Sequence, residues 1–172
     1  FFFDYEEIKR NMFALDFDDL LIYAIKILST FPDIRNKYIS RYRHILIDEF
    51  QDTNNVQYTL LKLLSGPDTN IYIVGDPDQT IYTWRGADQR IILDIEHDFY
   101  PMKTIILNQN YRSTQYILDH ANKLISYNKE RVKKELFTDK LSKNDVELHT
   151  FFDNQLEANF VSRKIKELMF ND

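Results

Sequence analysis

Asp48 and Glu49 stand side by side where the apolar run Ile45-Leu-Ile ends. A buried strand that stops in acidic residues is how α/β nucleotide-binding proteins present chemistry, because ligands collect at the carboxyl ends of the strands. Successive side chains of a strand face opposite ways. One carboxylate can therefore reach a Mg²⁺ ion while the next points at a water. Phosphoryl transfer needs that division of labour, with positive charge on the phosphates and a base orienting the attacking water. An isolated Asp-Glu is more often a solvated strand end. Here the apolar residues before the pair and Gln51, Asp52 and Thr53 after it favour the chemical reading.

A second apolar run ends at Val74 and opens into Gly75-Asp-Pro-Asp-Gln79-Thr-Ile-Tyr82-Thr-Trp84-Arg85-Gly86-Ala87. The Gln79 amide both donates and accepts hydrogen bonds, which suits a phosphate sensor; the alternative is a residue capping a turn. Tyr82 and Trp84 offer faces on which any base can stack, and Arg85 can hold a phosphate or stack in turn. The alternative for both rings is core packing. Gly86 fits a backbone turn that a Cβ would hinder.

The elements that must position these residues follow from periodicity. A helix is expected over 5–29, with Asp16, Asp18 and Asp19 at a helix start, where carboxylates suit free N–H groups. A shorter helix is expected over 34–42 and a strand over 44–48. A helix over 55–64 should stop at Ser65-Gly66-Pro67-Asp68. A strand over 71–74 follows, then a loop or short helical turn over 79–85 and a helix over 88–96. The pattern continues with a third strand over 104–107 and a helix over 113–127 capped by Ser113 or Thr114. A basic, polar linker over 129–143, a strand over 146–152 and a helix over 156–169 complete it. Strands alternating with helices predict an α/β fold with a parallel sheet and right-handed crossovers. No internal repeat is visible.

The chain has 172 residues, 44% of them hydrophobic, enough for one domain or a domain and a fragment of a second. Three glycines and four prolines argue against a low-complexity chain. The absence of cysteine excludes a disulfide framework, a thiol nucleophile and a cysteine-based zinc site. His44, His97, His120 and His149 show no metal-ligand spacing. No apolar run reaches membrane-spanning length, and Phe1-Phe2-Phe3-Asp4 does not resemble a signal peptide. It is expected to be a cut inside a longer protein. A net charge of -5 argues weakly against non-specific nucleic-acid binding, although a local groove decides that.

The run Leu46-Ile-Asp48-Glu49-Phe-Gln-Asp-Thr53 resembles the Walker B motif (motif II) of the UvrD/Rep/PcrA family of superfamily 1 DNA helicases. Val74 to Ala87 resembles that family's motif III, and Leu107-Asn-Gln-Asn-Tyr111-Arg112-Ser113 its motif IV. Leu15-Asp-Phe-Asp-Asp-Leu-Leu21 is similar to the segment after the family's inserted subdomain. The order agrees over about residues 12–139. The resemblance implies a RecA-like parallel sheet flanked by helices, here incomplete. Residues 1–140 would be the C-terminal part of the first motor domain, and 141–172 the beginning of the second.

The resemblance also implies roles. Asp48 would hold Mg²⁺ and Glu49 would activate the water that attacks the γ-phosphate of ATP. Gln79 would touch the γ-phosphate or its water, and Tyr82, Trp84 and Arg85 would lie against single-stranded DNA. Tyr111 would stack on the adenine and Arg112 would contact the γ-phosphate, where a planar fork of donors suits the developing charge. The alternatives are strand-end packing for Tyr111 and an ion pair with Asp76 or Asp78 for Arg112. Asp76 itself reads as structural, tying loop N–H groups. Implied partners are single-stranded DNA, single-strand/duplex junctions and repair-pathway proteins, with a cytoplasmic, nucleoid-associated location and no membrane.

No G-x-x-x-x-G-K-[ST] occurs, and Gly66, Gly75 and Gly86 stand far apart. The isolated chain is therefore expected neither to hydrolyse ATP nor to unwind DNA, and its apolar strand edges to be exposed. Competing readings are a metal-dependent nuclease using Asp48, Glu49 and Asp52, a non-catalytic nucleic-acid-binding module, and an unrelated α/β NTPase acting on protein.

Overall fold

A computed structural model describes residues 1–141 and 146–170. They form two compact units, 1–105 with 128–133, and 106–127 with 134 onward.

In the first unit, α1 (Phe2–Asn11), α2 (Phe17–Thr30) and α3 (Pro32–Arg41) precede strand β1 (His44–Ile47). Helix α4 (Asn55–Leu64) leads to β2 (Asn70–Ile73), and α5 (Gln89–Asp98) follows. The strands pair in parallel, with His44 opposite Asn70 and Ile47 opposite Ile73. Asn54 starts α4 through a reciprocal capping box with Gln57. The unit is thus a helix-connected parallel strand pair, compatible with the expected α/β class.

Strand alternation aims Ile45, Ile47, Ile71 and Ile73 at a core of Phe50, Leu61, Ile91 and Ile95. The opposite face leaves Leu46 72% and Tyr72 63% exposed. Phe50 is the anchor, at 1% exposure; truncating a buried aromatic to alanine costs about 3–5 kcal/mol. It directly follows Glu49, so core packing and the acidic pair share one piece of backbone.

The second unit holds α6 (Gln115–Ile125) and α7 (Asn154–Phe170). Gln109 bridges Phe137, and Asn122 Nδ2 donates to the Leu136 carbonyl at 2.8 Å.

Several elements differ from expectation. The helix expected over 5–29 is two helices, because Asp16 and Asp19 cap α2 reciprocally and Phe13 takes φ 53. Residues 104–107 form no strand: apolar character alone supplies no ladder partner, and Ile105 and Leu107 are 67% and 77% exposed. Residues 146–152 also form no strand, although their alternation is real. His149 and Phe151 both pack on Phe160 of α7, with ring centroids 4.5 and 5.2 Å away. The linker expected over 129–143 is not a free tether in its described part, 129–141. Arg131 pairs with Asp78 at 3.2 Å, and the Phe137 N–H donates to the Asn108 carbonyl at 3.1 Å. Its positions 142–145 lie outside the described residues. Composition reads such a stretch as solvated, but individual long-range bonds decide its path. Thr114 caps α6 by position, without a side-chain hydrogen bond.

Candidate active site

The site begins where β1 ends. The Val74 N–H donates to the Ile47 carbonyl at 2.9 Å, and the Phe50 N–H to the Val74 carbonyl at 3.0 Å. Between these bonds Glu49 takes φ 50, ψ 42, in the left-handed region. That conformation costs a non-glycine residue about 1–2 kcal/mol. The buried Phe50 ring and the two backbone bonds hold it. The pleat therefore does not divide Asp48 from Glu49, as alternation would have it; the left-handed turn at Glu49 does. Its N–H donates to Asp48 Oδ1 at 3.0 Å, so both carboxylates stay on the exposed end of the strand.

A chain of side chains connects Glu49 to Gln79. Gln51, 2% exposed, donates from Nε2 to Glu49 Oε2 at 2.7 Å. Its Oε1 accepts the Asp76 N–H at 3.0 Å. Asp76 Oδ1 accepts the Asp78 N–H at 3.0 Å and Oδ2 accepts Gln79 Nε2 at 2.8 Å. The structural reading of Asp76 is borne out: it opens the 3₁₀ turn Pro77–Gln79. Nothing in the sequence separates Gln51 from an ordinary turn residue. The available signal was an amide two positions after an acid and beside an apolar anchor.

A cavity of about 340 Å³ is lined by Asp48, Glu49, Asp52, Thr53 and Gln57 over Phe50 and Leu61. Asp52 carries a buried Oδ1 with no hydrogen-bond partner among the described residues. No group of three or more His, Cys, Asp or Glu able to hold a metal converges among them. Mg²⁺ is ordinarily bound through one or two carboxylates, with phosphates and water completing the set. Asp48, exposed at the end of β1 and lining the cavity, fits that pattern; an all-protein cage does not.

Past Gln79, the 3₁₀ turn Thr83–Arg85 is closed by Gly86 at φ 83, in the left-handed region, which fits the backbone turn expected there. Trp84 is 72% exposed, which removes the core alternative. The Arg85 guanidinium lies 4.6 Å from the Trp84 ring centroid and 5.4 Å from that of Tyr82. Arginine stacking of this kind holds the rings on the surface.

Tyr111 and Arg112 belong to the second unit. The Tyr111 hydroxyl donates to Gln109 Oε1 at 2.9 Å, and its side chain is exposed. Asn110 Oδ1 accepts the Arg112 and Ser113 N–H groups. Within its own unit the Arg112 guanidinium makes no ion pair or hydrogen bond among the described residues.

The model of the UvrD/REP helicase N-terminal domain matches residues 1–100, and that of the UvrD-like helicase C-terminal domain matches 105–172. The chain belongs to the UvrD/REP helicase family. It is 47% identical over 162 residues to a probable DNA helicase II homolog of Mycoplasma capricolum. It is 41% identical over 162 residues to the ATP-dependent DNA helicase PcrA of Leuconostoc citreum. The PcrA of Staphylococcus epidermidis is 43% identical over 163 residues. These alignments cover 94–95% of the chain but 22% of each relative. The UvrD/REP chain thus spans about a fifth of the length of the curated relatives it matches. No helix among its described residues is long and apolar enough to cross a membrane.

Proposed function

We propose that this chain supplies part of an ATP-dependent DNA helicase or translocase that couples Mg-ATP hydrolysis to movement on single-stranded DNA and duplex unwinding. The observation that carries this reading is the hydrogen-bonded chain Glu49–Gln51–Asp76–Gln79, which ties an acidic pair to a turn leading into exposed Tyr82, Trp84 and Arg85. The names of the relatives support it. The fold reading is RecA-like, with 1–140 from the first motor domain and 141–172 opening the second. Limited proteolysis tests that line: a first cut near 105 moves residues 106–140 to the second domain, and one near 140 keeps them in the first.

Asp48 would hold Mg²⁺, which supplies charge to the phosphates. Glu49 orients the attacking water and accepts its proton. Gln79 hydrogen-bonds the γ-phosphate or that water. Arg112 stabilises charge on the γ-phosphate and Tyr111 stacks on the adenine. Tyr82, Trp84 and Arg85 grip bases and phosphates of a single strand. Junction DNA and repair-pathway proteins are the proposed partners, in repair or replication restart, in the cytoplasm at the nucleoid. The isolated chain lacks a phosphate-cradling glycine-lysine loop and is inactive on this reading. Mg-ATP turnover by the isolated chain, abolished by Glu49→Gln, would overturn that inactivity.

The test is ATP hydrolysis by the intact protein carrying these residues, with and without single-stranded DNA. Strong DNA stimulation that Glu49→Gln removes supports the motor. Hydrolysis without stimulation leaves an NTPase and sinks the helicase reading. No hydrolysis shifts the assignment to a nucleic-acid-binding module.

A further inference from the structure

Gln51 joins two segments 25 residues apart, and both ends of its buried amide are matched. Rotating that amide would set donor against donor and acceptor against acceptor, with no water to compensate. The neighbouring backbone leaves room for it. A Cβ at Gly75 would stand 2.7 Å from Gln51 Oε1 and 3.1 Å from the Phe50 nitrogen. On the far side of the bond, Asp76 holds the Gln79 side chain. The Gln51 carbonyl also faces the Thr80 hydroxyl, at 3.5 Å.

We propose that Gln51 is a positioning residue: it sets the direction of the Glu49 carboxylate and makes that direction depend on where the Asp76–Gln79 turn sits. This rests on the reading of Glu49 as the base. A strut of this kind converts a small displacement of the turn into a misdirected carboxylate, and a misplacement of about 1 Å is enough to lose roughly 100-fold in rate. Because the same turn runs on into Tyr82, Trp84 and Arg85, contact with a single strand is felt at Glu49 through Gln51. Gln51 touches neither nucleotide nor DNA in this scheme.

The experiment is a double-mutant cycle in the intact protein, reading kcat and KM for ATP with and without oligo-dT. Gln51→Met should lower DNA-stimulated kcat by about 10–100-fold, the usual range for losing a supporting hydrogen bond. KM for ATP and affinity for oligo-dT should stay within about twofold, as for a residue acting only on the chemical step. In the Glu49→Gln background the same substitution should add almost nothing, since the carboxylate it directs is gone. Gly75→Ala crowds the same bond, and also Ile92 Cδ1 at 2.9 Å and the Phe50 nitrogen; in protein that keeps the wild-type thermal midpoint it should reproduce a smaller kcat loss at unchanged KM. Wild-type kcat in both Gln51→Met and Gly75→Ala overturns the proposal while leaving the motor reading intact. So does an equal loss from Gln51→Met in both Glu49 backgrounds. Absence of hydrolysis in the wild type overturns both.

Discussion

Glu6, Asp16 and Asp19 gather around Lys9, whereas Asp48, Glu49 and Asp52 gather around no cation among the described residues. Lys9 is 8% exposed, and its Nζ lies 2.7, 3.0 and 2.7 Å from Glu6, Asp16 and Asp19. Hydrogen bonds to Asp19 and Glu6 raise its pKa above the ordinary lysine value. The Asp19 N–H, then Lys9 and the Tyr5 hydroxyl, lower Asp16 to about 2. That cluster is closed: it joins α1 to the start of α2. The acids around Glu49 line an open cavity instead, and one Asp52 oxygen is left without a partner. Carboxylates that serve the fold come with their counter-charge, because like charges held together disfavour ionisation. Those left uncompensated at a strand end are available to a charge from outside.

The sharpest way to break this contrast is Glu49→Gln. In the intact protein it should reduce ATP turnover by roughly 10²–10⁴-fold, the range for losing a general base, with ATP binding retained. Turnover at the wild-type rate would make the open cluster as structural as the closed one. Lys9→Met is the converse. It should unfold or loosen α1 against α2, read as lost helical ellipticity and a lower thermal midpoint at pH 7. In protein that remains folded, the ATP turnover rate should be unchanged. The acid side checks the same cluster. Asp16 is depressed on folding, so its contribution is complete above the ordinary carboxylate value of 3.8 and is lost as pH falls through about 2. Melts between pH 5 and 2 should show that loss in the wild type, and a flatter profile in Asp16→Asn.

Trp84→Ala should weaken single-stranded DNA binding by about 1–3 kcal/mol without shifting the thermal midpoint, since the ring is mostly exposed. A stability loss with unchanged DNA affinity would return Trp84 to a packing role. The smallest effect is expected for Gly86→Ala, about 1 kcal/mol of stability from the φ of +83, measured by denaturant unfolding.

Local pattern made part of this molecule legible. Residues 55–64 read as a helix with the bounds it has, because the Ser65-Gly66-Pro67-Asp68 stop is a local signal; the Asn54–Gln57 capping box that starts it, seen in the structure, is local too. The parallel pair β1 and β2 was legible for the same reason, within one residue at the ends. The acids at the end of β1 and the aromatic–arginine turn before Gly86 were legible as well. The strands expected over 104–107 and 146–152 failed on pairing, which no apolar pattern contains. The linker expected over 129–143 failed in its described part because specific bonds, Arg131 with Asp78 and the Phe137 N–H with the Asn108 carbonyl, outweighed its polar composition.

The amino-acid sequence by itself determined which residues could do chemistry, and that they follow an apolar strand. Residue type and period 2 or 3.6 suffice for that. Only the tertiary structure decided how they are joined. Gln51 bridges Glu49 and Asp76 because Phe50 is pinned in the core beside the end of β2. Glu49 takes its left-handed turn for the same reason. Those are contacts between distant segments, and they depend on which backbone lies alongside which.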